Sequence, residues 1–144
     1  MNQVFETYSA QETFDLGKTF GSIAQAGEIY CLMGDLGTGK TVFTQGFAEG
    51  LGVEEAVVSP TFTILQEYEG GRLPLYHFDV YRIEEPDEMD EIGFDEFLYG
   101  RGVCLIEWAD LIEDLIPPFA KIVRIEKDME QDFDYRRITV ALSN

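Results

Sequence analysis

Eight consecutive residues, Gly34-Asp35-Leu36-Gly37-Thr38-Gly39-Lys40-Thr41, satisfy the order G-x-x-x-x-G-K-[ST]. Glycines at these positions let successive backbone N–H groups turn inward onto phosphate oxygens. A helix starting at the lysine adds the partial positive charge of its N-terminus. Lys40 is spaced to reach β- and γ-phosphates, and the Thr41 hydroxyl to ligate Mg²⁺. With glycine near 7% of residues, four fixed positions match by chance in about one chain of this length in a hundred or fewer. The chemistry announced is binding of a nucleoside triphosphate and transfer or hydrolysis of its terminal phosphoryl group.

That chemistry needs a carboxylate near Mg²⁺, usually at the C-terminal end of a neighbouring buried strand. Glu107 ends the apolar run Val103–Ile106, and Asp79 sits within Tyr76-His77-Phe78-Asp79-Val80-Tyr81-Arg82. An isolated acid after a dry strand favours a metal role for Glu107 over that of a surface carboxylate. Asp79 is balanced between a ligand and the outward residue of an alternating strand. Thr61 and Thr63, following Pro60, stand where a segment could sense the γ-phosphate, or are ordinary strand threonines. His77 is the single histidine, and a histidine in an aromatic strand is expected to be packed and hydrogen-bonded, with no triad spacing around it. Trp108 packs in the core or stands beside the nucleotide. Arg82 and Arg101 are read as surface ion-pair residues before transition-state cations, and no His/Cys cluster supports zinc.

The elements that must position these groups alternate between strand and helix. Residues 3–8 alternate as a strand, and Ser9 with Glu12 forms a capping-box signature for an amphipathic helix over 10–25. Residues 28–33 read as a buried strand feeding the glycine loop, and Phe43, Phe47 and Leu51 mark a helix over 40–51, closed by Gly50 and Gly52. Residues 61–68 and 73–82 predict a hairpin around Glu69-Gly70-Gly71-Arg72. The stretch 86–99 is acidic and partly helical, 103–107 is a second apolar strand, and 109–116 is a short helix stopped by Pro117-Pro118. Residues 121–126 and 136–142 close the chain as strands. The expected class is α/β: a P-loop NTPase-like three-layer fold with a small, mostly parallel sheet plus antiparallel strands, in a single domain over residues 1–144.

Composition narrows the function. Ten Lys+Arg against 28 Asp+Glu give a net charge of −18, which repels phosphate backbones and anionic lipid, so autonomous grip on nucleic acid or membrane is not expected. Between Glu84 and Glu96 lie eight acids and no base, either a solvated helical face or a docking surface for a basic partner. Cys31 and Cys104 sit in apolar stretches as reduced, buried thiols. The start Met1-Asn2-Gln3-Val4-Phe5-Glu6 has no signal-peptide pattern, and a cytoplasmic protein is expected. The only asparagines are Asn2 and Asn144, so an Asn-Lys-x-Asp guanine-reading segment is excluded. A kinase of a small metabolite is the alternative, although the few basic residues leave little for a basic lid. A compact ATPase that changes the state of a partner is the leading reading.

Four segments in order, Gly34–Thr41, Ser59-Pro60-Thr61-Phe62, His77-Phe78-Asp79-Val80-Tyr81-Arg82 and Leu105-Ile106-Glu107-Trp108, resemble the bacterial TsaE (YjeE) family over roughly residues 9–142. The resemblance implies a small ATPase that uses ATP and Mg²⁺ and supports threonylcarbamoyl modification of the tRNA adenosine beside the anticodon, together with the TsaB and TsaD proteins. It implies phosphate contacts from Lys40 and the loop residues Gly34, Asp35, Leu36, Gly37, Thr38 and Gly39, and Mg²⁺ ligation by Thr41 and Glu107. Asp79 would act at the metal or the attacking water, and Thr61 would belong to the γ-phosphate-sensing segment. Trp108 matches the family's tryptophan beside the glutamate. Ser9, Thr13 and Arg137 match positions near the nucleoside. The stretch 127–135 carries no motif of the family.

Overall fold

The computed structural model describes residues 2–35, 37–57 and 64–142. Its first strand, β1, is Gln3–Thr7, and helix α1 runs Ala10–Ile23. The helix starts where the sequence signals it: Ser9 Oγ accepts from the Glu12 N–H at 3.1 Å and Glu12 Oε1 accepts from the Tyr8 N–H at 2.8 Å, so two otherwise unpaired donors are met reciprocally. Strand β2 (Ile29–Met33) leads through the glycine loop to α2 (Lys40–Leu51). The hairpin is β3 (Leu65–Tyr68) and β4 (Leu75–Asp79), antiparallel as predicted. The part of the expected strand at 61–63 lies outside the described residues.

The acidic stretch folds as two short helices, α3 (Glu88–Glu91) and α4 (Phe94–Leu98), separated at Gly93 with φ +73°. Strand β5 (Val103–Glu107) is buried from end to end. Residues Ala109–Leu115 form 3₁₀ turns, and β6 (Lys121–Glu126) and β7 (Arg136–Leu142) follow.

The strands form one sheet in the order β1-β7-β6-β2-β5-β4-β3. Its centre, β6-β2-β5-β4, is parallel, and the flanks β7, β1 and β3 are antiparallel. The central strands are apolar on both sides because both faces are covered. On one face α1 and α2 pack Phe20, Phe43 and Phe47 against Leu105 and Val123. On the other, α3, α4 and the 3₁₀ turns bring Phe94, Leu98 and Ile112 onto Phe78 and Ile106. This is the expected three-layer α/β architecture.

Gly50 does not close α2; Gly52 does, with φ +89° and its N–H on the Ala48 and Glu49 carbonyls. Gly50 is instead pressed on α1, where a Cβ would meet the Lys18 carbonyl oxygen at 2.2 Å. Both cysteines are buried and unbridged, and burial pushes each thiol up to about 12. Among the described residues no helix is long and apolar enough to cross a membrane.

Candidate nucleotide site

Parallel register sets the site at the C-terminal edge of the sheet. Glu107, the last residue of β5, stands opposite Leu32 of β2 on one side and Asp79 of β4 on the other. The glycine loop leaves β2 at this edge, so the phosphate cradle and both candidate carboxylates are brought together by strand pairing alone. This edge is where ligands bind in open α/β sheets.

Close backbone contacts and positive φ angles explain the glycines in the described part of the loop. Gly39 caps α2 in the left-handed region, φ +108°, which a side chain would oppose. At Gly34 a Cβ would lie 2.6 Å from the Ile125 carbonyl oxygen and 2.8 Å from Thr38 Oγ1. Thr38 is buried, and its hydroxyl donates to the Asp35 carbonyl at 2.9 Å. Leu36 lies outside the described residues. Lys40 opens α2 and is 6% exposed, with its ammonium 3.9 Å from the centre of the Trp108 indole ring. Thr41 follows on the exposed first turn.

Trp108 holds this position through an uncommon backbone. It is the one described non-glycine residue with positive φ, +64°. That turn swings the indole out of the β5 direction and over Lys40, where the Tyr81 ring meets it at 4.8 Å between centroids. Strain of this kind persists only where the surroundings hold it, and it clusters at functional sites. Trp108 meets both placements open for it: it lies over Lys40 at the glycine loop and packs, partly buried, against the cluster of Phe78 and Ile106.

The carboxylates differ in environment. Glu107 is 4% exposed, and its Oε2 bonds His77 Nε2 at 2.7 Å, itself at 1% exposure. Asp79 is half-buried and its Oδ1 accepts from the Tyr81 N–H at 3.0 Å. Burial holds the Asp79 carboxyl above the usual carboxylate range; the Tyr81 N–H pulls it down and the Glu107 charge pushes it up. His77 is packed and hydrogen-bonded as expected, and its partner is the candidate metal ligand.

The outer residues divide. Thr13 is buried, shares a 2.7 Å hydrogen bond with the Thr7 hydroxyl, and its Cγ2 lies 3.9 Å from where a Gly39 Cβ would sit. It therefore touches the loop. Ser9 caps α1. Thr61 and Thr63, with the rest of the Ser59–Phe62 segment, lie outside the described residues. Arg137 is not at the loop: it is exposed on β7, with Glu126 at 4.0 Å.

Its neighbour Arg136, on the opposite face of the strand, donates from Nε to the Thr38 carbonyl at 2.6 Å and from a terminal nitrogen to the Phe133 and Tyr135 carbonyls at 2.7 Å each. Arg136 thus ties β7 to the phosphate loop. Lys127 Nζ lies 3.8 Å from the Cβ position of Gly37. Neither residue carried a sequence signal, because the contacts span about a hundred positions and depend on β6 pairing with β2 and β7 with β6.

A cleft of about 770 Å³ opens against Gly34, Lys40 and Trp108 and runs along Asp110, Glu113, Asp114 and Arg124. The donor set fits a nucleotide and Mg²⁺. Glycines shape the loop, a buried amine stands at a helix start, and two carboxylates end adjacent strands. Among the described residues no three His, Cys, Asp or Glu side chains form a metal cage.

A parallel strand, a glycine loop, a helix beginning at a buried lysine and strand-end carboxylates define a P-loop NTPase-like protein. Comparison with known proteins gives the family within that class. The family model of the threonylcarbamoyl adenosine biosynthesis protein TsaE matches residues 7–138, and the chain belongs to the TsaE family. It is 53% identical over 113 residues to the Bacillus subtilis tRNA threonylcarbamoyladenosine biosynthesis protein TsaE, covering 78% of this chain and 70% of that one. It is 41% identical over 133 residues to the Treponema pallidum protein of the same name, covering 92% and 96%. The crystal structure of Bacillus subtilus YdiB superposes with a TM-score of 0.82 at 40% identity, covering all of this chain and 87% of that one.

Proposed function

We propose that this protein is a small Mg²⁺-dependent ATPase of the cytoplasm that supports threonylcarbamoyl modification of the tRNA adenosine beside the anticodon by acting on a TsaB–TsaD partner complex. The observation that carries the ATPase reading is the convergence of Lys40, Glu107 and Asp79 at the mouth of the glycine loop. The pathway reading rests on family membership. Mg²⁺·ATP supplies the bond to be broken and a cation that spreads the charge on its phosphates.

The chain's own residues do the rest. Backbone N–H groups of 34–40 and the α2 N-terminus bind phosphate oxygens, and Lys40 leaves the Trp108 ring to pair with them. Thr41 and Glu107 hold the metal, and Asp79 orients the attacking water or a metal-bound one. Thr13 steadies the loop from α1. Ser9 and Thr61 are carried as outer contacts of the nucleotide from the family resemblance; Arg137, exposed on the strand face away from the loop, is not.

The test is calorimetry of ATP binding to the wild type and to Lys40→Ala, followed by phosphate release alone and with the two partner proteins. Heavy loss of binding in the variant, and phosphate release that rises with the partners, are expected. Wild-type-like ATP binding by Lys40→Ala refutes the site.

The cleft beside Gly34 and Lys40 is the feature that favours a second reading, a kinase of a small metabolite. Its acids, Asp35, Asp110, Glu113 and Asp114 against Arg124, would repel an anionic acceptor. Labelled ATP with a metabolite extract separates the two: labelled inorganic phosphate supports the ATPase, and a labelled metabolite supports the kinase.

A further inference from the structure

We propose that His77 is a positioning residue, which holds the Glu107 carboxylate in the orientation that Mg²⁺ requires. This rests on the reading of Glu107 as a metal ligand. Residues two apart on a strand share a face, and His77 pairs with Leu105 while Asp79 pairs with Glu107. His77 therefore stands one diagonal step from Glu107, on the same face of the sheet and one layer deeper. The result is a 2.7 Å bond between groups that are 1% and 4% exposed.

A buried carboxylate must be paired or hydrogen-bonded. Lys40 does not serve, since its ammonium is over the Trp108 ring, and no described Lys or Arg lies within ion-pair distance of Glu107. Among the described residues the histidine is the group left to fix the carboxylate. His77 Nδ1 has no hydrogen-bond partner among the described residues. A ring nitrogen left bare in a dry site is a cost that an apolar residue would avoid, so the ring is retained for its other nitrogen. A bare acceptor at Nδ1 is also less costly than an unpaired N–H, which assigns the proton to Nε2. Nε2–H then donates to Oε2, and Oε1 stays outside this bond, available to the metal.

Partners that orient a metal ligand typically account for ~10–100-fold in metal affinity. The test is a binding measurement with no turnover: ADP titrated by calorimetry, in EDTA and across a MgCl₂ series, into wild type, His77→Leu and His77→Gln, each with a recorded melting curve. In His77→Leu, affinity for ADP in EDTA should stay within about twofold of wild type, while the Mg²⁺ concentration needed to tighten it rises ~10–100-fold. His77→Gln, whose amide N–H reaches to a similar depth, should recover most of that loss even if it melts as low as the leucine variant. In a Glu107→Gln background, His77→Leu should cause no further change.

Unaltered Mg²⁺ dependence in His77→Leu overturns the inference. So does equal loss of ADP affinity with and without Mg²⁺, unrescued by glutamine, because that is the mark of a purely structural residue. Should wild type show no response to Mg²⁺, the assignment of Glu107 fails first, and the inference falls with it.

Discussion

Helices α1 and α2 cross so closely that a single methyl group should separate them. A Cβ on Gly46 would lie 2.0 Å from the Phe14 carbonyl oxygen and 2.9 Å from its carbon, where ordinary contact begins at 3.4 Å. Both clashing atoms are backbone, so α1 must retreat by more than an ångström. Two effects oppose each other in Gly46→Ala. Helix propensity favours alanine by ~1 kcal/mol in a helix interior. Overpacking of this kind typically costs ~1–3 kcal/mol, occasionally more. Here the upper end applies, because the retreat also loosens Phe20 from Phe43, whose rings are 6.2 Å apart.

The net expectation is a loss of about 2 kcal/mol after the propensity gain is taken off. Unfolding entropy of ~2.1 cal/mol/K per residue makes that about 7 °C in Tm for a chain of this length. Thr13, one turn into α1, touches the loop beside Gly39, so Mg²⁺·ATP affinity should fall with the Tm. The assay is differential scanning calorimetry, with Gly70→Ala as control: a Cβ at Gly70 meets nothing within 4 Å, and its Tm should be equal or slightly higher. A Gly46→Ala protein as stable as wild type would refute the close crossing and the energy argument together.

Glu107→Gln and Asp79→Asn should each lower phosphate release by ~10²-fold or more, the scale of losing a positioned charge in phosphoryl transfer. Asp79→Asn should also stabilise the fold at neutral pH, since burial holds the Asp79 carboxyl above its ordinary range. The ionised form is then the costly one, so the gain is full above the folded-state pKa and vanishes as pH falls below the ordinary value; urea melts at pH 7 and pH 3.5 check the sign. Trp108 is the single tryptophan, so its emission should change when ATP draws Lys40 off the ring, and Lys40→Ala should shift the emission without nucleotide and then ignore ATP. If the acidic segment docks a basic partner, Glu85→Lys with Glu91→Lys should cut partner-stimulated release several-fold, most at low salt, and leave basal release unchanged. Glu88 is unsuited to that test because its carboxylate accepts the Glu84 and Glu85 N–H groups at 2.8 Å each, so its loss would undo a turn.

What the sequence disclosed was local. Gly34–Thr41 could be read because a strand, a loop and a helix are contiguous, and Glu107 because an apolar run of four residues ends on it. The Ser9–Glu12 cap and the β3–β4 hairpin are equally short-range. The features that escaped depend on which strands become neighbours. His77 and Glu107 are thirty positions apart and meet only because β4 lies parallel to β5. Arg136 and Arg137 look equivalent in one dimension, but period-two alternation sends one to the Thr38 carbonyl and the other to solvent. Gly50 reads as a helix stop until α1 is laid against it. Trp108 was undecidable, because no pattern signals a non-glycine residue in the left-handed region.

The charge pattern gives these scattered features one logic. A chain of net charge −18 is a poor long-range attractor for a triphosphate, but screening at physiological salt confines that repulsion to ~8 Å, so the groups within a few ångströms of the loop decide. There the fold gathers Lys40 from α2, Lys127 from beyond β6 and Arg136 from β7. Of these, Arg136 is committed to three backbone carbonyls and serves as a brace, and Lys127 Nζ is held only loosely, 5.4 Å from the Phe133 ring centre. Among the described residues Lys40 is therefore the one buried amine at the loop, and it starts over an indole. On the proposed reading, a triphosphate entering this site would be under-neutralised until Mg²⁺ arrives, which makes the orientation of Glu107 by His77 decisive for turnover. A site so short of cations would be slow alone and would quicken when a partner ordered it or added one, a change that can be worth ~10³–10⁵ in rate.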